Sequence, residues 1–111
     1  MSERNAREEL EGVLSKIGLS MVACRLFRDH YRDPEPGIRA LPVGHLAAER
    51  EAVMRWIDFS YGSGFGCEWL LGTVWLSDGS WLERASYDGS EWWRHHRCPE
   101  PPTRKEVDDG P

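Results

Sequence analysis

The chain has no long apolar run. Its 111 residues hold nothing near the roughly 18 consecutive apolar residues of a membrane-spanning helix. The opening MSERNAREEL is charged from the start and has no signal-peptide h-region. Both absences lead to the expectation of a cytoplasmic protein without membrane association. Cysteine is scarce: Cys24, Cys67 and Cys98 are an odd number without a framework spacing, which fits reduced thiols rather than disulfides. Positive charge is in deficit. Fourteen Lys and Arg stand against nineteen Asp and Glu, a net charge of −5. That argues against a general nucleic-acid binder and is too mild to mark a DNA mimic. No G-x-S-x-G, Walker or H-E-x-x-H pattern is present, so the expectation is a protein that is not an enzyme and carries no cofactor. His30, Cys24, Asp29 and Asp33 are the groups from which a catalytic site would otherwise be assembled.

Tryptophan is abundant. Five of the six lie between Glu68 and Cys98, in EWLLGTVWLSDGSWLERASYDGSEWWRHHRC. This stretch reads as three strands joined at Asp78-Gly79 and Asp88-Gly89. Asp-Gly is a strong hairpin signal, because a type I′ turn needs positive φ at both central residues. With two-residue turns, Leu76 faces Trp81, Val74 faces Glu83, Ala85 faces Trp92 and Arg84 faces Trp93. Alternation then puts Leu70, Gly72, Val74, Leu76, Trp81, Ala85, Tyr87 and Trp92 on one face, taken as core. Gly72 and Ala85 leave room there for Trp92, and Glu83 and Arg94 form an ion pair near its edge. The other face carries Leu71, Thr73, Trp75, Leu82, Arg84 and Trp93, with Arg84 lying on Trp93. A longer loop with a Gly bulge shifts the register by one and exchanges the faces.

Upstream, residues 3–17 read as a helix capped by Ser2, with Leu10, Val13, Leu14 and Ile17 as its stripe and Gly18 as its stop. Residues 19–31 fit a helix or a doubly buried strand, and the strand is chosen. RDPEPG is turn chemistry, followed by a partner strand from Ile38 to Val43. Residues 45–57 form a second helix with Leu46, Val53, Met54 and Ile57 inward and Trp56 at the margin. Asp58–Tyr61 leaves as a short strand, and GSGFGC is a glycine loop. The fold expected is α+β: N-terminal helix, β-hairpin, second helix, then a three- to four-stranded antiparallel meander with the helices on one sheet face. Residues 1–98 make a single domain and 99–111 a Pro-rich disordered tail.

The blocks YGSGFG, GTVWLSDGSWLERASYDGSEWW and CPEPP resemble a family of small phage- and prophage-encoded proteins of unannotated function. The resemblance covers residues 56–102. It implies a mobile-element accessory protein that acts in the host cell by binding and blocking a host defence or regulatory protein.

A metal site drawn from His95, His96 and Cys98, with Cys67 or His45, is disfavoured, because adjacent strand residues point to opposite faces. Protein binding is preferred, since a small sheet cannot cover six tryptophans on both faces, and exposed aromatic and Arg clusters make hot spots. The residues chosen are Trp93, Arg84, Phe65, Tyr61 and Trp56. The function expected is stoichiometric inhibition of a host defence complex, anti-CRISPR-like, by binding a host protein or protein complex, with a homo-oligomer left open. The alternative is a small regulatory or nucleic-acid-associated protein that stacks bases on an aromatic sheet face with Arg84, Arg94 and Arg97.

Overall fold

The computed structural model describes residues 3–62, 69–87 and 90–98. In chain order the elements are β1 (Glu3–Asn5), α1 (Ala6–Ile17), β2 (Met21–Arg28), β3 (Gly37–Leu41), α2 (Ala47–Trp56), β4 (Ser60–Gly62), β5 (Leu71–Leu76), β6 (Trp81–Tyr87) and β7 (Ser90–His96). The α+β class and the antiparallel pairing are as expected. The strand chosen for residues 19–31 is β2. Among the described residues no helix is long and apolar enough to cross a membrane. Residues 99–111, expected to form a tail, lie outside the described residues.

The hairpin and the meander are not separate units. The sheet order is β3-β2-β5-β6-β7, so the hairpin is the continuation of the meander, joined where Cys24 pairs with Val74 and Leu26 with Gly72. The short strand after α2 does not extend the meander. It pairs with β1, Tyr61 opposite Arg4. That pairing moves the start of α1 inward: the cap is Asn5, whose side chain accepts from the Glu8 N–H, and not Ser2, which lies outside the described residues. Gly18 ends the helix as expected, at φ 70° with its N–H on Leu14. In α2, Val53, Met54, Trp56 and Ile57 are buried, whereas Leu46 is exposed. Leu46 precedes the helix, and its N–H is held by the Glu49 side chain at 2.8 Å. Inward residues of both helices and the sheet form one core of Leu10, Leu14, Leu26, Met54, Ile57, Val74, Leu76, Leu82, Trp93 and their neighbours.

The first Asp-Gly turn sets which side of β6 and β7 is inward. It is a three-residue loop, Ser77–Gly79. Leu76 N–H reaches Ser80 O at 2.9 Å and Gly79 N–H reaches Leu76 O at 3.1 Å. Gly79 takes φ 86°, the positive value that a three-residue hairpin with a glycine bulge requires. Trp75 therefore faces Trp81, and Val74 faces Leu82. The two-residue register is overturned at this turn. At the second turn it holds: Tyr87 pairs with Ser90, Ala85 with Trp92 and Arg84 with Trp93, although Asp88 and Gly89 lie outside the described residues. One shift of register turns every side chain of β6 and β7 over. Leu82, Arg84, Glu91 and Trp93 go inward, while Trp75, Trp81 and Trp92 look outward. Gly72 has a different task from making room for Trp92. At φ 137°, a Cβ there would stand 2.2 Å from the Arg25 carbonyl oxygen, so glycine lets β2 and β5 close together.

Candidate functional site

The residues expected to form an outer binding surface are mostly interior. Trp93, Arg84, Tyr61 and Trp56 are all buried: Arg84 and Trp93 because the three-residue loop exchanged the faces of β6 and β7, Tyr61 because β4 pairs with β1 over the core, and Trp56 because it ends α2 on its inner side. Phe65 lies outside the described residues. Arg84 does lie on Trp93, 5.2 Å from the ring centroid, but inside the core. Its guanidinium donates to the Tyr61 hydroxyl at 2.6 Å and pairs with Glu9 at 3.4 Å and Glu91 at 3.5 Å. Tyr61 in turn donates to Glu9. Glu91 accepts the backbone N–H groups of Trp69 at 3.0 Å and Leu70 at 3.1 Å. Burial, then the bond to Glu9, pushes the Tyr61 phenol upward. The cluster ties α1, β4, β6 and β7 together. Trp56 serves a second tie: its indole N–H donates to Glu35 O at 3.1 Å, and its carbonyl accepts from Arg28.

The groups weighed for catalysis do not converge. Cys24 is in the core, and burial pushes its thiol up to about 11. His30 is stacked on Trp69 with centroids 3.7 Å apart. Asp33 is clamped by Arg28 at 2.8 Å; burial raises its carboxyl, but the guanidinium and the Glu35 N–H hold it below the usual range. One serine–histidine contact escaped the sequence reading, with Ser80 Oγ 2.8 Å from His95 Nε2. The Ser80 hydroxyl, however, donates to Asp78. Its oxygen is then the acceptor for His95 Nε2–H, which is a turn-locking arrangement and not a nucleophile with its base. His45 Nδ1 lies 2.8 Å from Pro42 O, and His96 lies on Trp81. Cys98 is exposed, and Cys67 lies outside the described residues. Among the described residues no three His, Cys, Asp or Glu side chains are grouped to hold a metal.

What remains is the outward face of the sheet. Register pairs arrange it in rows across the strands. One row runs Ala23, Trp75, Trp81, His96. The next runs Ala40, Arg25, Thr73, Glu83, Arg94. Ile38, Phe27 and Leu71 form a third row, beyond which Trp92 stands opposite Ala85. A polar row thus lies between two apolar ones. Trp75 is 42% exposed, Trp92 39% and Ile38 56%. The expected Glu83–Arg94 ion pair is not made, although the residues are opposite. Glu83 turns instead to His96 at 3.7 Å and accepts from the Trp81 indole at 3.1 Å. Arg94 is thereby left without a carboxylate partner among the described residues, as is Arg25, whose guanidinium lies 5.5 Å from the Phe27 ring centroid. At the β3 end the face deepens into an apolar groove of about 610 Å³ lined by Val22, Ala23, Ala40, Pro42, Val43 and Trp75, among others.

The signal for this face was present in the sequence, as alternation of tryptophan along β5 to β7. What hid it was one residue of loop length. No family model, no curated protein and no solved structure matches the chain.

Proposed function

We propose that the protein binds another protein through the outward face of its sheet, and that it serves as a phage or mobile-element accessory protein inhibiting a host defence complex, anti-CRISPR-like, by stoichiometric occupation. The observation that carries the binding reading is the outward face itself, with Trp75, Trp81 and Trp92 exposed or half-buried beside Arg25 and Arg94, which have no carboxylate partner among the described residues. Large aromatics and arginine are the residue types on which interface energy concentrates. The three rows span about 24 by 20 Å from strand and residue spacings, on the order of 500 Å² in projection. That is the size of a functional patch and falls short of the roughly 800 Å² per partner of a standard interface, so a partner also reaches over the β3 edge to Val43. The inhibitor role rests on the resemblance of the sequence block and is separable from the binding reading.

A second reading has a specific observation behind it. Indole faces flanked by Arg25 and Arg94 also suit stacked bases. Against it, Arg84 is spent inside the core, Glu83 occupies the middle of the face and the chain is net acidic.

The deciding experiment captures partners on immobilised protein from nuclease-treated host extract, comparing the native chain with Trp75→Ala and Trp92→Ala. A stoichiometric protein partner, retained after nuclease and lost in both variants, is the expected result. Binding unaffected by either substitution removes the outward face from consideration. Recovery of nucleic acid alone selects the second reading.

A further inference from the structure

The outward face is arranged about its central strand. β5 has β2 and β6 beside it, and β3 and β7 outside them. A two-fold axis laid along β5, in the plane of the face, keeps each row in place and exchanges the strands on either side. Two copies brought together on that axis meet row against row, and every contact off the axis occurs twice, as in any isologous interface.

Charge and size match in this arrangement. Arg25 and Glu83 stand in one row, either side of Thr73, so Arg25 of each copy would meet Glu83 of the other. Both are exposed. Arg25 has no carboxylate partner among the described residues, and a carboxylate that already accepts from Trp81 has further acceptor sites. In the tryptophan row Trp81 meets Ala23. In the third row Phe27 meets Ala85, which continues the Thr73–Glu83 register two residues on. At the margins Arg94 meets Ala40 and Ile38 meets Trp92. Large side chains thus oppose small ones in the middle of the face, as sheets packed about 10 Å apart require.

Other axes fail. One along β2 opposes Arg25 to Arg25, and one along β6 opposes Glu83 to Glu83. One midway between β5 and β6 opposes Arg25 to Arg94. One between β6 and β7 does pair Glu83 with Arg94 but overlaps only those two strands. An axis along the polar row, across the strands, sets every charge against its like. The β5 axis alone pairs opposite charges with all five strands overlapped. With on the order of 500 Å² per copy, the pair covers about 1,000 Å². That is the lower bound for a specific interface and belongs to the weak, reversible class.

We infer that two copies of the chain associate face to face about a two-fold axis along β5, as a weak dimer in which Arg25 of each pairs with Glu83 of the other. The inference does not rest on the proposed host partner, which would displace the second copy from the same face.

The test is sedimentation velocity on the full chain from micromolar to millimolar concentration. The native chain should pass from monomer to dimer. Arg25→Glu alone and Glu83→Arg alone each oppose like charges twice, and each should weaken the dimer roughly tenfold or more. Mixed in equal amounts, the two variants should recover a dimer with one chain of each, because one ion pair is then native and the other has its charges exchanged. Circular dichroism melting at micromolar concentration checks that each variant keeps the fold. A native chain that stays monomeric at millimolar concentration overturns the inference. So does a dimer that neither substitution weakens, or one that both weaken and the mixture fails to restore.

Discussion

Trp93→Ala and Trp92→Ala differ by one position and should differ sharply in outcome. Trp93 is 8% exposed and packs in the core on Arg84. A buried aromatic removes about 150–250 Å² from water, which at about 25 cal/mol/Å² is about 5 kcal/mol. Compactness of the unfolded chain reduces this by roughly 10–40%. The remainder, about 3–4 kcal/mol, agrees with the cost of large aromatic truncations. Trp92 is 39% exposed on the outward face, where neighbours relax and no enclosed cavity forms, so about 1–2 kcal/mol is expected. Urea unfolding followed by circular dichroism reads both, with the shift taken at the midpoint because the slope should not change. In a thermal scan the Trp93 variant should melt roughly 15 °C or more below the native chain. Trp93→Phe, which keeps a ring over Arg84, should fall between the two. Equal losses for the two alanine variants, or a larger loss at Trp92, would refute the inward orientation of Arg84 and Trp93 and with it the three-residue loop.

Other consequences follow from single contacts. Gly79 has positive φ with open space around it, so Gly79→Val should cost on the order of 1–2 kcal/mol through strain alone; an unchanged midpoint would contradict the loop. Gly72→Ala should do more harm, because its Cβ would meet the Arg25 backbone; it should show as lost amide protection along β2 and β5. Asp33 has its pKa depressed by Arg28, so its stabilisation is present above the ordinary carboxylate pKa of about 4 and is lost as pH falls through the lower folded value. Asp33→Asn should accordingly be destabilised at neutral pH and lose part of the acid dependence, read by midpoints measured against pH. Cys24, buried with its thiol raised to about 11, should resist a thiol reagent at neutral pH that modifies exposed Cys98 at once; equal rates would mean that the β2 core opens readily.

Much of the fold could be read from the chain because local signals and tertiary context agreed. Leu10 and Leu14 recur at helical spacing, Gly18 stops the helix, and Val53, Met54 and Ile57 mark the inner side of α2. The strand order was not legible. Nothing local in Met21–Arg28 announces that it pairs with Leu71–Leu76, since that contact is made across an intervening helix. The two faces of β6 and β7 were exchanged for a narrower reason. Asp78-Gly79 fits a two-residue turn and a three-residue bulged loop equally well by composition, and the two put opposite sides of β6 and β7 inward. What separates them is Ser80. Its N–H is held by Asp78 at 2.9 Å, and its carbonyl accepts from Leu76, so it closes the loop and Trp81 opens the ladder.

Hydrophobicity alone favours the wrong orientation. Turning β6 and β7 over would bury Trp81, Ala85 and Trp92 and expose Arg84 and Glu91, apparently a gain. The observed orientation instead puts an arginine and a glutamate inside, both nearly free of solvent, and isolated buried charges are costly. The cost is offset in part by partners from elsewhere in the chain: Glu9 from α1, Tyr61 from β4, and the backbone N–H groups of Trp69 and Leu70 that lead into β5, although Arg84 Nε and Nη1 make no hydrogen bond among the described residues. In the opposite orientation Glu9 and Tyr61 would lose their guanidinium and the Trp69 and Leu70 N–H groups their carboxylate, while Glu83 and Arg94 would be buried in their place. The polar set is therefore complementary in one orientation only, the role in which buried ionic groups are best understood as specifying an arrangement. It also leaves the tryptophans outside. The same choice that buries Arg84 sets Trp81 and Trp92 beside Trp75 on the outward face, so the aromatic face and the buried ion cluster are two sides of one register.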